Sequence, residues 1–246
     1  MLGLALAAGA GLLRPRPARA YAPVQGCCLR QSMDSLGFAP MGLVDAEGQP
    51  ERLIETSGDP TLDRYLGRAL VRIATSFQVR PGFGFIDDSA AENAYATPET
   101  RIDGTTGTVL MGTNLFHRVM ASFDDAGVAV LAVCAHEFGH IYQFGSGWDR
   151  TMGAMDLTVR PVELHADFLA GYFLATRKAD LPDLNLQGAG RLIDSLGDTA
   201  FNDHGHHGTP QERVAAIEGG YAYGRRGAQP VATVADAGAT FVRGLL

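Results

Sequence analysis

The segment "VCAHEFGHIYQF", Val133 to Phe144, sets two histidines and a glutamate in a run that otherwise reads as protein interior. His136 and His140 stand four residues apart, so on a helix their imidazoles share one face, one turn above the other, where both can ligate a single zinc ion. Glu137 lies about a third of a turn round, beside the metal rather than on it. From there it can act as general base on the water that the ion activates, whose pKa falls toward ~7. Burying three such groups unpaired would cost several kcal/mol each, so a common partner is expected. The competing reading is a chance match on a core helix whose histidines are satisfied internally.

A catalytic zinc site needs a third ligand and an open fourth position. "PVELHADFLAGYF", Pro161 to Phe173, begins with proline at a helical first turn and carries Glu163 and Asp167 four apart on one face. Glu163 can complete the site. Asp167 is placed to accept the free ring N–H of a ligand histidine, His136 being the expected one, and so to fix its tautomer. Leu164, Phe168, Leu169, Tyr172 and Phe173 argue that this helix is buried, against the alternative of a solvated acidic face. Asp156, in the connection between the two motifs, is the alternative third ligand. His165, two residues from Glu163, points to the other side of the helix and is not expected to bind metal; His117, alone after a strand, reads as a surface or packing residue.

These residues resemble a known family. His136-Glu137-Phe138-Gly139-His140 followed by Glu163 and Asp167 looks like the gluzincin zinc peptidases. "AHEFGHIYQ", "ELHADFLAG" and "HGTPQERV" together resemble the bacterial neutral zinc metallopeptidases and the minimal core of the HtpX-like proteases, and "ENAYATP" followed by "GTVLMGTNLF" is similar to the same core. The resemblance spans about Glu92 to Tyr223. It implies a strand pair over the active site whose backbone edge can pair with an extended substrate. It also implies a role for His207, followed six residues later by Arg213: the imidazole would reach over the zinc and donate to the oxyanion, while Arg213 pairs with a buried carboxylate and holds the loop. Read without the resemblance, His204, His206 and His207 form a solvated loop or a weak second metal site. Two features depart from the pattern. HtpX-like proteases carry membrane-spanning helices, whereas no apolar run after residue 20 is long enough for one. Only 22 residues separate His140 from Glu163, which leaves a short connection, "GSGWDRTMGAMDLTVR", to bear on substrate choice.

The elements that must position these groups are mostly helical. Asp59-Pro60 is a good N-cap and first turn, and the apolar spacing after it predicts an amphipathic helix to Phe77. Extended segments are expected at Phe83 to Asp87, Glu92 to Thr97 and Gly107 to Gly112. Helices should follow near Asn114 to Phe123, Val128 to Phe144, Pro161 to Lys178, Leu184 to Leu196 and Pro210 to Tyr221. Strands and helices do not alternate, so the expectation is α+β: a helix-rich zincin-like domain with a small, mostly antiparallel sheet over the HExxH active-site helix. Residues 1–20 read as a signal peptide, 21–58 as a flexible N-terminal arm, 59–225 as the zinc metallopeptidase domain and 226–246 as a C-terminal tail.

Composition narrows the partners. The formal net charge is -7 and Lys178 is the single lysine among 20 basic residues, so no basic stripe exists to track a phosphate backbone and nucleic acid is not expected. The apolar run Leu2 to Leu13 and the small-x-small triplet Ala18-Arg19-Ala20 have the form of a secretory signal, although its arginines follow the apolar run. Export to the periplasm or medium is expected, with an N-terminal membrane anchor as the alternative. Cys27 and Cys28 are adjacent and Cys134 sits in the apolar helix, so the cysteines make no disulfide framework; "VQGC" only faintly resembles a lipid-attachment box. The expected function is zinc-dependent hydrolysis of peptide bonds in a peptide or protein substrate, with endopeptidase action favoured over exopeptidase action. The alternatives are an inactive zinc-stabilised binding module and a zinc hydrolase of non-peptide amides.

Overall fold

The computed structural model describes residues 52–246 except 90–91, 123–124, 196 and 202, and the side chains of Ile193 and Asp194. The expected signal peptide, most of the expected N-terminal arm, and Cys27 and Cys28 lie outside the described residues. Among the described residues three strands, β1 (Gly82–Ile86), β2 (Ala94–Thr97) and β3 (Thr108–Gly112), are accompanied by eight helices. These are α1 (Pro60–Phe77), α2 (Thr113–Ser122), α3 (Ala126–Ser146), α4 (Trp148–Gly153), α5 (Arg160–Asp180), α6 (Gln187–Ser195), α7 (Pro210–Gly224) and α8 (Val231–Arg243). The result is a helix-rich α+β fold. No helix among the described residues is long and apolar enough to cross a membrane.

The sheet corrects the expectation of mostly antiparallel pairing. Its order is β1-β3-β2: β3 pairs antiparallel with β2, Ala94 opposite Met111, and parallel with β1, Gly82 opposite Thr108. The chain leaving β1 steps across to the far edge, and the next hairpin brings β3 back into the middle. Asp88 organises that step. Its buried carboxylate accepts the backbone N–H groups of Asn93, Asn114 and Leu115, so it caps α2 while pinning the link into β2. β2 is the end strand, and all four of its residues are buried. On the other side Ile54 bridges Phe85, and Leu53 packs with Ile86, Tyr95 and Leu110. The described end of the arm is therefore docked on the sheet.

Two long helices carry the core. α3 lies against α1, α2 and the sheet, and its continuous apolar run buries residues on every face. α5 is buried from Pro161 to Ala175, between α3, α7 and α8. Glycines set how closely these helices approach. A Cβ on Gly171 of α5 would lie 2.0 Å from the Ile217 carbonyl oxygen, and one on Gly220 of α7 would lie 1.9 Å from that of Phe168, so α5 and α7 meet backbone to backbone. α3 and α5 cross where Gly139 faces Ala166, with room for ordinary contact at 3.4 Å.

The expected C-terminal tail is instead a packed element. Val231, Val234, Ala235, Gly238, Ala239 and Val242 form a buried stripe on α8, which lies against α5. The stripe follows helical spacing, with valine at three positions and small residues at the other three. The domain therefore continues past residue 225. The connection after α3 also holds a helix, α4, which buries Met152 against Val162 and Leu164.

Gly220→Ala places a methyl group inside van der Waals contact with a rigid backbone carbonyl, so the helices must separate. Chemical denaturation should show a loss at or above the ~1–3 kcal/mol typical of overpacking, whereas Gly139→Ala should stay within about 1 kcal/mol of the native protein.

Candidate metal centre

α3 and α5 bring His136, His140 and Glu163 together. His136 Nε2 lies 3.1 Å from His140 Nε2 and 3.3 Å from Glu163 Oε2, and His140 Nε2 lies 3.6 Å from Glu163 Oε1. One ligand atom from each falls within 4.8 Å of the other two, and all three residues are buried. Zinc–nitrogen bonds of about 2.0–2.1 Å imply tetrahedral edges of roughly 3.3 Å, the scale of these separations, two of which end on different oxygens of Glu163. The group could hold a metal ion.

The protons agree with that reading. His140 Nδ1 lies 2.6 Å from Gln143 Oε1, which can only accept, so Nδ1 carries the hydrogen and the neutral ring presents a lone pair at Nε2. His136 Nδ1 lies 2.8 Å from Asp167 Oδ1, close but out of line with a straight ring N–H bond, which likewise leaves Nε2 as the ligating atom. Glu163 Oε1 is buried with no hydrogen-bond partner. With both rings neutral, the atoms that face one another are all electron-rich.

Charge points the same way. Asp167 is fully buried and takes a bidentate pair from Arg213, Nε to Oδ2 at 2.8 Å and Nη2 to Oδ1 at 2.9 Å. With both rings neutral, the two carboxylates of Glu163 and Asp167 outweigh this one guanidinium. Burial would lower the pKa of His136, but the charge of Asp167 and the contacts with Asp167 and Glu163 raise it to about 10, showing how strongly the pocket favours a positive charge there. His140 is held down to about 3, first by burial, which the Glu163 charge only partly offsets, and then by its neighbour His136. Burial would raise Glu163, yet the surrounding histidines, His140 foremost, bring it down to about 2.

Glu137, one residue round the helix from His136, is buried and outside the ligand triangle, as its spacing predicts. Asp156 is not a ligand: it faces Arg160, Nη1 to Oδ2 at 3.6 Å, outside the cluster. His117 is exposed on α2 with its ring beside Phe116. His165 points away from the metal group, as expected, but is far from idle. It is fully buried, its Nδ1 accepts from Gln143 Nε2 at 2.9 Å, and its Nε2 donates to the Ala235 carbonyl at 3.0 Å.

The histidine loop is ordered by a residue that nothing in the sequence marks. Asp198 takes the His206 ring at 2.5 Å through Oδ1, and the His207 ring at 3.1 Å and backbone N–H at 2.9 Å through Oδ2. The Nε2 atoms of His206 and His207 are both buried without a hydrogen-bond partner. His207 is near enough to Glu163 for its charge to help lower that carboxyl. His204 instead turns outward, its ring 2.8 Å from the Leu157 carbonyl, and Val159 N–H donates to the His204 carbonyl at 3.0 Å, so this loop and the α4–α5 connection are stitched together. The three histidines therefore differ, contrary to a uniformly solvated loop. A cleft of about 680 Å³ runs beside the last turn of α3, lined by Val79, Pro98, Ile141, Tyr142 and Phe144.

Comparison with protein-family models, curated proteins and solved structures finds no match for this chain.

Arg213→Met strands the buried Asp167 charge and should destabilise the fold by about 3–5 kcal/mol, measurable by denaturant titration. A pH dependence follows from Asp198. Burial would raise its pKa, but the His207 backbone N–H, the His206 ring and the other donors bring it down to about 2, below the ~3.9 of an unfolded chain. A depressed carboxyl stabilises above its unfolded pKa and loses that contribution as pH falls through the folded value. Hydrogen-exchange protection of residues 203–208 should therefore drop between roughly pH 4 and 2, and Asp198→Asn should remove that step.

Proposed function

We propose that this chain is a zinc-dependent peptidase of gluzincin type, with a zincin-like fold, in which His136, His140 and Glu163 hold the metal and Glu137 is the general base. The observation that carries the reading is the buried triangle of two imidazole lone pairs and a carboxylate, on helices α3 and α5, with a further buried carboxylate one residue from the first ligand. Zinc, when bound, would supply Lewis acidity toward a peptide carbonyl and toward the attacking water. The Glu137 carboxylate takes the proton of that water and passes it to the leaving amine nitrogen. Asp167 and Arg213 keep the His136 ring turned so that Nε2, not Nδ1, faces the centre.

His207 enters in a form that the sequence does not specify. With Nδ1–H on Asp198, the neutral ring offers a lone pair at Nε2, so donation to an oxyanion from that atom requires the doubly protonated ring. His206 shares Asp198 but sits against Phe201, and His204 faces the Leu157 carbonyl.

Zinc content and cleavage of an unstructured protein such as casein, with and without a chelator, test the proposal. Glu137→Gln should keep zinc and lose roughly 10²–10⁴ in turnover; wild-type turnover in the zinc-replete variant rejects the base assignment. Glu163→Ala should lose most of the metal, and full zinc affinity there rejects the ligand set. His207→Ala should lower kcat by roughly 10²–10³ at unchanged zinc stoichiometry, with far smaller effects from His204→Ala and His206→Ala. Equal effects at all three would remove His207 from the chemistry.

A further inference from the structure

The metal-facing histidine His140 is the end of a buried polar chain that runs across three helices. Its Nδ1 meets Gln143 Oε1 at 2.6 Å, one turn along α3. The Gln143 amide nitrogen donates to two acceptors on α5, the Val162 carbonyl at 2.9 Å and His165 Nδ1 at 2.9 Å. His165 Nε2 then donates to the Ala235 carbonyl of α8 at 3.0 Å. Gln143, His140, Val162, His165 and Ala235 are all fully buried, so water does not substitute for any link.

The direction of every hydrogen in this chain is forced. A carbonyl only accepts, so His165 must carry its proton on Nε2, which leaves Nδ1 as a lone pair. The Val162 carbonyl also only accepts, so the amide nitrogen of Gln143 must be on that side; the flipped amide would set oxygen against oxygen at Val162 and a second lone pair against His165. Both amide hydrogens are then used, and Oε1 is the atom left for His140. His140 must hold its proton on Nδ1, and its Nε2 is a lone pair aimed at His136 and Glu163.

We infer that Gln143 is a positioning residue for the metal centre: clamped by Val162 and by the His165–Ala235 pair, it fixes the tautomer and rotation of His140 so that Nε2 is presented to a divalent cation. The inference rests on the metal-ligand reading of His136, His140 and Glu163. It gives α8 a purpose at the site, since the Ala235 carbonyl closes the chain. The clamp is asymmetric, because Val162 alone still holds the amide when His165 is removed.

The test is zinc affinity by competition with a chromophoric chelator, beside thermal melting of the metal-stripped proteins. Gln143→Met keeps the length of the side chain but has no strong acceptor for His140, and should weaken zinc by roughly 10–100-fold, the usual effect of losing such a partner. Gln143→Glu keeps the acceptor for His140 but sets a carboxylate oxygen against the Val162 carbonyl. It should lower the melting temperature of the metal-stripped protein while holding zinc within a few-fold of wild type. His165→Phe should weaken zinc less than Gln143→Met does. Wild-type affinity in Gln143→Met overturns the inference, and so does a loss in Gln143→Glu as large as in Gln143→Met, since that pattern follows folding rather than the acceptor. Should Gln143→Met fail to fold, nitrogen-resolved NMR of the zinc-loaded wild type decides: His140 protonated at Nδ1 supports the inference, and His140 protonated at Nε2 overturns it. Wild-type protein that binds no zinc in the first measurement overturns the metal reading itself, a result distinct from all of these.

Discussion

A carboxylate with no exposure must be answered by charge and hydrogen bonds where it lies, and Asp167 is that group here. Burial pushes its pKa up, and the Arg213 guanidinium, with His136 behind it, brings it below the usual carboxylate range. One side chain thereby joins three helices: α3 through His136, α5 that carries it, and α7 through Arg213. The candidate metal centre inherits its geometry from this junction, because the Asp167 oxygen that turns His136 is also one that Arg213 holds.

That junction forms only because α5 and α7 approach without side chains between them. Gly171 and Gly220 sit against the carbonyls of Ile217 and Phe168, and Gly224 sits against Tyr172 and Ala175, one further turn along. A bidentate Arg–Asp pair demands placement within a few tenths of an ångström, and backbone-to-backbone packing supplies that rigidity better than a layer of flexible side chains. The capping box of Thr209 and Glu212 then fixes where α7 begins, so that Arg213 stands in its first turn and the histidine loop ends just before it.

Around the junction the polar groups divide into two supports. Gln143 and His165 brace His140 from beneath, on a path that ends in the backbone of α8. Asp198 braces His206 and His207 from above, on a loop whose neighbour is the α4–α5 connection. Each support places an acceptor-only atom on one side of an imidazole, which is the simplest way for a protein to choose which nitrogen faces a site.

The sequence by itself determined the chemistry-bearing pairs that lie on one helix. Four-residue spacing places His136 over His140 and Glu163 over Asp167 whatever surrounds them, because helical geometry is local. The same locality made Asp59-Pro60, Pro161 and Thr209-Pro210 legible as helix starts and put Glu137 off the ligand face. The tertiary structure decided what depends on groups distant in sequence. Whether β3 lies between its neighbours, which carboxylate receives Arg213, that Asp198 rather than solvent meets His206 and His207, and that 231–243 packs onto α5 are all questions of which surfaces meet. Gln143 stands between these cases. Its helix and its distance from His140 are local, but its role is set by the Val162 carbonyl and His165 across the helix interface, and those partners exist only once α3 and α5 have closed on each other.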